Sequence, residues 1–229
     1  MGGAGQLFRG QTERMFIAPV DATLGESEWR SFVESHAFGH LVAPGGADRE
    51  IPVVVPTQFV LSGQTVWLHL VRANPVFAAL AENPRVLLSI ADDWAFIPST
   101  WKAIGAEDPA FGIPTTYYGA VQMVGRAHVH DERVAPGSVA EILRRQLGDF
   151  QPDVEVADPS EAHGAKLLGI LGIEIRLEEV SAKFKYGGNV DVAHRRAVVS
   201  HLEGRRGPGD AAAAAHVVRR LAAEEACRP

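Results

Sequence analysis

Residues 66–71 form an apolar strand pattern that leaves neither face polar. Side chains alternate along a strand, so one face carries Val66, Leu68 and Leu70, and the other carries Trp67, His69 and Val71. Because both faces are mostly apolar, we do not expect a sheet with one face in water here. A packed helix, a partner subunit or a flat cofactor would each cover the second face.

A helix-start pattern follows this strand directly. Asn74 has the short side chain of an N-cap residue, and Pro75 suits the first helical position. Free amides at a helix start carry partial positive charge, and Arg72 adds a full charge two residues before the cap. The turn therefore suits a phosphate or carboxylate. A well-capped connecting helix with a surface arginine explains the same pattern.

His69 lies just before this turn, in an apolar setting. A histidine there is either a hydrogen-bonded core residue or a functional group, because binding sites gather titratable side chains.

Composition limits the classes of partner. The net charge of −6 disfavours general nucleic-acid binding, and we do not expect direct contact with DNA or RNA. No apolar run approaches membrane-spanning length, so no membrane partner is expected. The single cysteine, Cys227, excludes a disulfide framework and favours a cytoplasmic setting.

Apolar periodicity predicts about six strands joined mostly by short turns, with helices at the margins. The predicted strands cover residues 38–42, 51–61, 67–72, 85–90, 117–130 and 173–186, and residues 94–97 are expected to continue the sheet. The predicted helices cover residues 27–34, 76–81, 139–147, 166–171 and 190–226, the last broken at 204–209. Residues 98–114 are predicted to form a long loop. This pattern favours an α+β fold built on an antiparallel barrel.

The common catalytic signatures are absent from the sequence. There is no GxxxxGK loop, GxSxG elbow, HExxH pair or GxGxxG run. His128 and His130 share one strand face, but no third metal ligand is evident, so no metal site is predicted.

Several short runs together resemble the PaiB-like family of FMN-binding split barrels, whose members are often labelled negative transcriptional regulators. The similarity extends from about residue 15 to residue 190. Its most specific run is HLVRANP at 69–75, and the others are MFIAP at 15–19, AFI at 95–97 leading to Trp101, PT at 114–115, VQMVGR at 121–126 and KFK at 183–185.

The resemblance implies a Greek-key split barrel with peripheral helices, a homodimer, and a cofactor in the groove between subunits. It divides the chain into a disordered extension at 1–14, a cofactor-binding domain at 15–190 and a helical extension at 191–229. It also offers an explanation for the doubly apolar strand, whose outer face would be covered by the second subunit and the ring system.

Two cofactors fit this family. FMN would place its phosphate at the turn formed by Arg72, Ala73 and Asn74, with Arg72 as a charged clamp. Lys183 and Lys185 would add charge, although both also suit plain solvated lysines, and Gln122 would donate to a ring carbonyl. Trp101 and Tyr117 would stack on or wall the pocket, or else pack within the barrel.

Heme b is the alternative. The family includes enzymes similar to heme-dependent piperazate synthases, which form an N–N bond, and there the histidine matching His69 is the axial ligand. Arg72 would then pair with a propionate. Both cofactors are flat rings with anionic tails, so the sequence does not separate them.

The sequence departs from the family in the half of the pocket that meets the ring. The family run PHATHLP is replaced by residues 52–58, PTWNY by 114–118 and KLSQN by 185–189, while the turn at 72–75 is kept. Inherited fold is therefore better supported than inherited function.

Three functions stay open: an FMN-binding oxidoreductase or cofactor-linked regulator, a heme enzyme of amine or N–N bond chemistry, and a non-catalytic dimeric transcriptional regulator. If the protein is an enzyme, it is expected to be an FMN- or heme-dependent oxidoreductase. No residue has a firm general-base role, and the candidates are His69, Tyr117 and Tyr118.

Overall fold

A computed structural model of the protein describes residues 15–226. The predicted extension at residues 1–14 and the last three residues, with Cys227, lie outside the described residues. In the described part of the chain, no helix is both long enough and apolar enough to cross a membrane.

Seven strands form one antiparallel sheet that does not close on itself. Their order is β2-β1-β5-β6-β7-β4-β3. The strands are β1 (Phe38–Ala43), β2 (Val53–Gln58), β3 (Val60–Ser62), β4 (Thr65–Val71), β5 (Arg85–Ile97), β6 (Thr115–His130) and β7 (Ile170–Lys185). The sheet and its accompanying helices confirm the predicted α+β split-barrel class.

Six α-helices accompany the sheet within residues 15–226. They are α1 (Glu26–Ser35), α2 (Val76–Glu82), α3 (Ser138–Phe150), α4 (Pro159–Ala162), α5 (Val192–Arg205) and α6 (Asp210–Ala226). The break predicted at residues 204–209 separates α5 from α6, where Arg206 has a left-handed backbone with φ of 53°. The loop at 98–114 contains two short 3₁₀ turns.

The described residues divide into two compact units. The first unit contains residues 30–90 and 122–181, and the second contains residues 15–29, 91–121 and 182–226. The strands β5, β6 and β7 contribute residues to both.

In the first unit, β2 is an edge strand that pairs only with β1. Pro56 lies within it, opposite His40, and proline is tolerated there because an edge strand need not donate on its outer side.

The register between β4 and β7 sets the two faces of the doubly apolar strand. Leu68 pairs with Ile173 and Val66 with Ile175, and these four side chains are fully buried. Each contributes about 1.5–3 kcal/mol by leaving water. On the opposite face, Trp67 pairs with Glu174, His69 with Gly172 and Val71 with Ile170.

Three element predictions needed correction. The strand predicted at 51–61 is divided into β2 and β3, with Phe59 buried between them. The strands predicted at 85–90 and 94–97 are one strand, β5, because residues 91–93 continue it although they interrupt the apolar pattern. The helix predicted at 166–171 is a 3₁₀ turn, Gly164–Gly169, and β7 starts at Ile170.

Candidate functional site

The loop between β4 and α2 carries the predicted anion-binding turn. The Asn74 Oδ1 atom accepts a hydrogen bond from the Val76 amide at 3.0 Å, so the Asn74 side chain binds an amide at the helix start. The helix begins at Val76 with Pro75 as its N-cap residue, one position later than expected. Ala73 is exposed beside them.

The Arg72 guanidinium is already bound by the protein. Its two terminal nitrogens donate to the Asp131 carboxylate at 2.7 and 2.6 Å, and its Nε donates to the Leu168 carbonyl at 2.8 Å. The guanidinium lowers the pKa of Asp131 to about 2, chiefly through these hydrogen bonds. An anion at this turn would therefore compete with Asp131 for the same donors.

Helix α3 covers part of the second face of β4. Gln146, which is buried, places its Oε1 atom 2.5 Å from Nδ1 of His69. The Arg145 guanidinium lies 5.0 Å from the ring centre of Trp67. Of the three coverings considered from sequence, the structure shows a packed helix over Trp67 and His69, while Val71 is 58% exposed.

His69 has one occupied and one open ring nitrogen. Within residues 15–226, Nδ1 contacts Gln146, and Nε2 has no hydrogen-bond partner. Such an imidazole can accept a proton or bind a metal through Nε2 while Nδ1 is held in place.

Two further histidines lie on β6, which is separated from β4 by β7 in the sheet. His130 places Nε2 3.2 Å from the Glu174 carboxylate, and the His128 ring meets the His130 ring edge-on at 4.8 Å. The buried Glu174 carboxylate also accepts a hydrogen bond from Arg176 at 2.9 Å.

Gln122 lies on β6 in the first unit and is half-buried. Its Oε1 atom is buried and has no hydrogen-bond partner within the described chain. A carboxamide with an unused polar atom is chemically suited to the pyrimidine edge of a flavin, which carries both N–H and carbonyl groups.

In the second unit, Lys183 and Lys185 extend from β7. The Lys183 ammonium donates to the Phe16 carbonyl at 2.9 Å, and the Lys185 ammonium donates to the Thr115 hydroxyl at 2.9 Å. Both lie near the ring of Tyr118, at 5.7 and 5.9 Å from its centre, within cation–π range.

Lys102 completes what we call the lysine cluster (Lys102, Lys183 and Lys185). Burial, and then repulsion from Lys185, lowers the pKa of Lys102. Asp21 is a buried carboxylate near the cluster, and burial raises its pKa although Lys183 and Lys185 act in the opposite direction. Within the described residues, none of the three lysines forms an ion pair with a carboxylate.

Trp101 and Tyr117 occupy different surroundings in the second unit. The Trp101 ring stacks on His201 of α5 at 5.0 Å, and the Arg205 guanidinium lies 4.4 Å from its centre. Tyr117 is buried and meets Tyr186 edge-on. Burial raises the pKa of Tyr117 to about 12, which makes it a poor proton acceptor near neutral pH.

The predicted residues thus fall into separate groups. In the first unit, His69, Arg72, Ala73 and Asn74 follow one another along the end of β4, with Gln122 on β6. In the second unit, Lys183 and Lys185 come together, while Trp101 packs on α5 and Tyr117 on Tyr186.

Three residues of interest escaped the sequence analysis. Gln146 follows Val139 by seven positions, on the apolar stripe of α3, and a polar residue on such a stripe was the available signal. Lys102 is one of only four lysines, whereas the chain has eighteen arginines, and this scarcity of lysine was the signal available for it. Asp131 gave no signal, because nothing in the sequence ties it to Arg72.

Residues 15–179 match the family described as "Putative FMN-binding domain". The chain belongs to this family. The resemblance drawn from the HLVRANP run and its companions is therefore confirmed.

One curated relative is the Bacillus subtilis (strain 168) protein named "Protease synthase and sporulation protein PAI 2". It is 24% identical over 201 residues, which cover 85% of this chain and 92% of the relative.

Solved structures share the fold. The flavocytochrome Anf3 from Azotobacter vinelandii superposes with a TM-score of 0.55 at 20% identity, covering 81% of this chain and 80% of that one. The FAD and heme binding protein from Mycobacterium smegmatis gives 0.53 at 14% identity, covering 77% and 79%. Conserved hypothetical protein Rv2991 from Mycobacterium tuberculosis gives 0.54 at 15% identity, covering 77% and 94%.

Proposed function

We propose that this protein binds FMN and that the lysine cluster holds the FMN phosphate. The observation that carries the proposal is charge: the ammonium groups of Lys183 and Lys185 lie near one buried carboxylate, Asp21, and that of Lys102 lies near Lys185. None of the three forms an ion pair with a carboxylate within residues 15–226. A phosphate monoester carries a charge of about −1.5 to −2 at neutral pH, which matches this excess.

The donor set of the cluster also fits a phosphate. Each ammonium group has three N–H donors. Lys183 uses one of them for the Phe16 carbonyl, and Lys185 uses one for the Thr115 hydroxyl. The remaining donors are available for charge-assisted hydrogen bonds, which are about twice as strong as neutral ones.

The scarcity of lysine supports the same assignment. The chain has four lysines and eighteen arginines, so its positive charge is carried almost entirely by arginine. Three of the four lysines nevertheless meet in this cluster. By contrast, Arg72, the residue first expected to clamp the phosphate, is neutralised by Asp131.

When bound, the flavin supplies hydride and electron transfer. The protein residues bind and orient it, and the lysine cluster fixes the phosphate. We propose a cofactor-dependent oxidoreductase rather than a DNA-binding regulator, because the net charge of −6 repels a polyanion.

Comparing FMN with riboflavin tests the phosphate assignment, because riboflavin lacks the phosphate. Titrations followed by flavin fluorescence would use wild type, Lys183→Met, Lys185→Met and the control Lys166→Met, whose side chain is exposed in the first unit. Loss of one charge-assisted hydrogen bond, about 1.5–3 kcal/mol, weakens FMN binding by about tenfold or more.

Riboflavin affinity should change by less than about twofold in the same variants. Equal weakening of both ligands would mean that the lysines support the fold rather than the phosphate. The proposal itself would be wrong if the purified protein contained no extractable FMN and also failed to bind added FMN.

Heme b is a second candidate, favoured by His69. Its Nδ1 is held by Gln146 and its Nε2 is open, the arrangement usual for a histidine that binds iron. Two structural neighbours are named as a flavocytochrome and as an FAD and heme binding protein. A Soret band that disappears in His69→Ala would support heme, whereas stoichiometric flavin with no hemin binding would exclude it.

We also propose that the protein forms a homodimer. The outer face of β1 and β2 carries exposed apolar side chains, Phe38 at 61% and Val54 at 51%, which a second copy would cover. Sedimentation should give twice the chain mass, and Val54→Asp should return the monomer. Phe111→Asp, at an exposed apolar position in the second unit, is the matched control.

A further inference from the structure

Gln146 is the only described group that holds the His69 ring by a hydrogen bond, and we propose that it is a positioning residue. It fixes His69 as the Nδ1–H tautomer, so that Nε2 carries the lone pair and is the ligand-binding atom. The observation is the 2.5 Å contact between Gln146 Oε1 and His69 Nδ1. The inference uses the second candidate function only for the identity of its ligand.

The tautomer follows from the donor and acceptor chemistry. A carboxamide oxygen only accepts, so the ring nitrogen facing it must carry the proton. In a neutral imidazole the other nitrogen then has the lone pair. A histidine ligand is commonly held in this way by an acceptor on its other nitrogen.

Gln146 is itself held rigidly enough to act as such an acceptor. The residue is 3% exposed, and it lies in the third turn of α3. The Gln146 Nε2 atom is buried and has no hydrogen-bond partner within residues 15–226. Leaving this donor unsatisfied costs free energy, which the fold tolerates at this position.

The start of α3 is anchored to the same strand end that carries His69. The Glu132 carboxylate accepts from the Val139 amide at 2.9 Å and from the Gly137 amide, which ties the helix start to the preceding connection. The adjacent residue, Asp131, binds Arg72, three positions after His69. These contacts keep the Gln146 amide in register with the imidazole.

Glycine at position 172 lets α3 pack closely against β7 beside His69. Gly172 is the residue opposite His69 on β7, and a Cβ atom built there would lie 2.3 Å from Ile142 of α3. A side chain at position 172 would therefore have to displace the Ile142 side chain, on the helix that carries Gln146.

Nitrogen NMR of the flavin-free, heme-free protein tests the tautomer directly. Ring ¹⁵N signals of a protonated nitrogen and a lone-pair nitrogen are well separated, and His69→Asn assigns the signal among the nine histidines. We expect the Nδ1–H tautomer in wild type and in Gln146→Glu, whose carboxylate also accepts. We expect mixed tautomers in Gln146→Met.

Hemin titration, followed at the Soret band, tests the consequence for binding. Gln146→Met should weaken hemin binding by about tenfold or more, as losses of such partners do in metal sites. Gln146→Glu should stay within about threefold of wild type. Gln151→Met changes an exposed glutamine at the end of the same helix and should have no effect.

The outcomes distinguish the positioning role of Gln146 from the heme candidate. An Nε2–H tautomer in wild type, or an unchanged tautomer in Gln146→Met, overturns the positioning role. If Gln146→Met does not fold, the wild-type and Gln146→Glu spectra still decide the tautomer. Absence of hemin binding in wild type with the expected tautomer removes the heme candidate and leaves the role of Gln146 intact.

Discussion

Arg72 and Asp131 are joined by two parallel hydrogen bonds of 2.7 and 2.6 Å, although 59 positions separate them in sequence. The bidentate pair connects the end of β4 to the start of the connection between β6 and α3. An arginine that the sequence offered as an anion clamp therefore has an internal structural role.

The first prediction concerns the acid sensitivity of this pair. Arg72 lowers the pKa of Asp131 to about 2, below the usual value of about 4. A lowered carboxyl pKa gives stability that is present above the unfolded pKa and lost as the pH falls through the folded pKa. Asp131→Asn should be less stable than wild type at pH 7, and the difference should shrink between about pH 4 and pH 2.

Urea denaturation at several pH values measures this difference. The control is Asp149→Asn, an exposed carboxylate on α3 that should change little at any pH. A difference that stays constant down to pH 2 would contradict the assigned role of the ion pair.

The second prediction concerns a buried ion pair of the second unit. Arg220 of α6 donates to the Glu28 carboxylate at 3.1 Å and to the Ala22 carbonyl at 2.8 Å, and both charged side chains are less than 10% exposed. Arg220→Met leaves the Glu28 charge buried without its cation, which costs about 3–5 kcal/mol in similar cases. Thermal denaturation should show a large fall in Tm.

A matched exposed pair provides the control. Arg196 pairs with Glu225 at 3.1 Å on the protein surface, so Arg196→Met should cost less than about 1 kcal/mol. Adding Glu28→Gln to Arg220→Met should restore part of the lost stability, because the unpaired charge is removed. Equal effects of Arg220→Met and Arg196→Met would show that the buried pair is unimportant.

The third prediction separates packing from catalysis at Tyr117. Gly187 has a φ of +78°, and a Cβ there would lie 2.3 Å from the Tyr117 hydroxyl oxygen. Gly187→Ala should destabilise the protein by about 1–3 kcal/mol through the left-handed backbone and the clash. Tyr117→Phe should be neutral or slightly stabilising, because the buried hydroxyl has no partner in the described chain.

Chemical denaturation measures both variants, and the double variant tests the contact. Removing the hydroxyl should recover part of the stability lost in Gly187→Ala. A strong loss of activity in Tyr117→Phe, with unchanged stability, would instead support the catalytic role considered from sequence.

The fourth prediction uses Asp21 as a competitor for the phosphate. Asp21 is a buried carboxylate that interacts electrostatically with Lys183 and Lys185. Asp21→Asn removes this negative charge and should tighten FMN binding by a few-fold, with little change for riboflavin. Fluorescence titration measures the ratio, and weaker FMN binding in this variant would contradict the charge argument.

The same substitution has a predictable effect on stability. Burial raises the pKa of Asp21, so its ionised form is less favourable in the folded protein. The unfavourable contribution of Asp21 to the free energy of folding therefore grows as the pH rises through the pKa that Asp21 has in the unfolded protein. Asp21→Asn should therefore gain stability relative to wild type between acidic and neutral pH, as measured by urea denaturation.

Local sequence rules predicted the elements around the candidate site. The alternation of side chains predicted β4, and the Asn74–Pro75 pair predicted the start of α2 to within one residue. These features depend on residues close in sequence, which is why they were predictable.

Long-range pairings were not predictable from the same rules. His69 and Gln146 are 77 positions apart, and amphipathic periodicity shows only that α3 has an apolar stripe, not which strand it covers. The pairing of Arg72 with Asp131 was hidden for the same reason. Without it, the sequence could not decide between an anion-binding turn and a connecting helix with a surface arginine.

The rarity of lysine outside the cluster decides how the protein can be handled in the laboratory. Acylating reagents and amine-coupled biosensor surfaces react with lysine and spare the eighteen arginines. Apart from the chain terminus, their exposed target away from the cluster is Lys166. Acylation of the cluster amines would therefore damage flavin retention, and bound FMN should shield those same amines from the reagent.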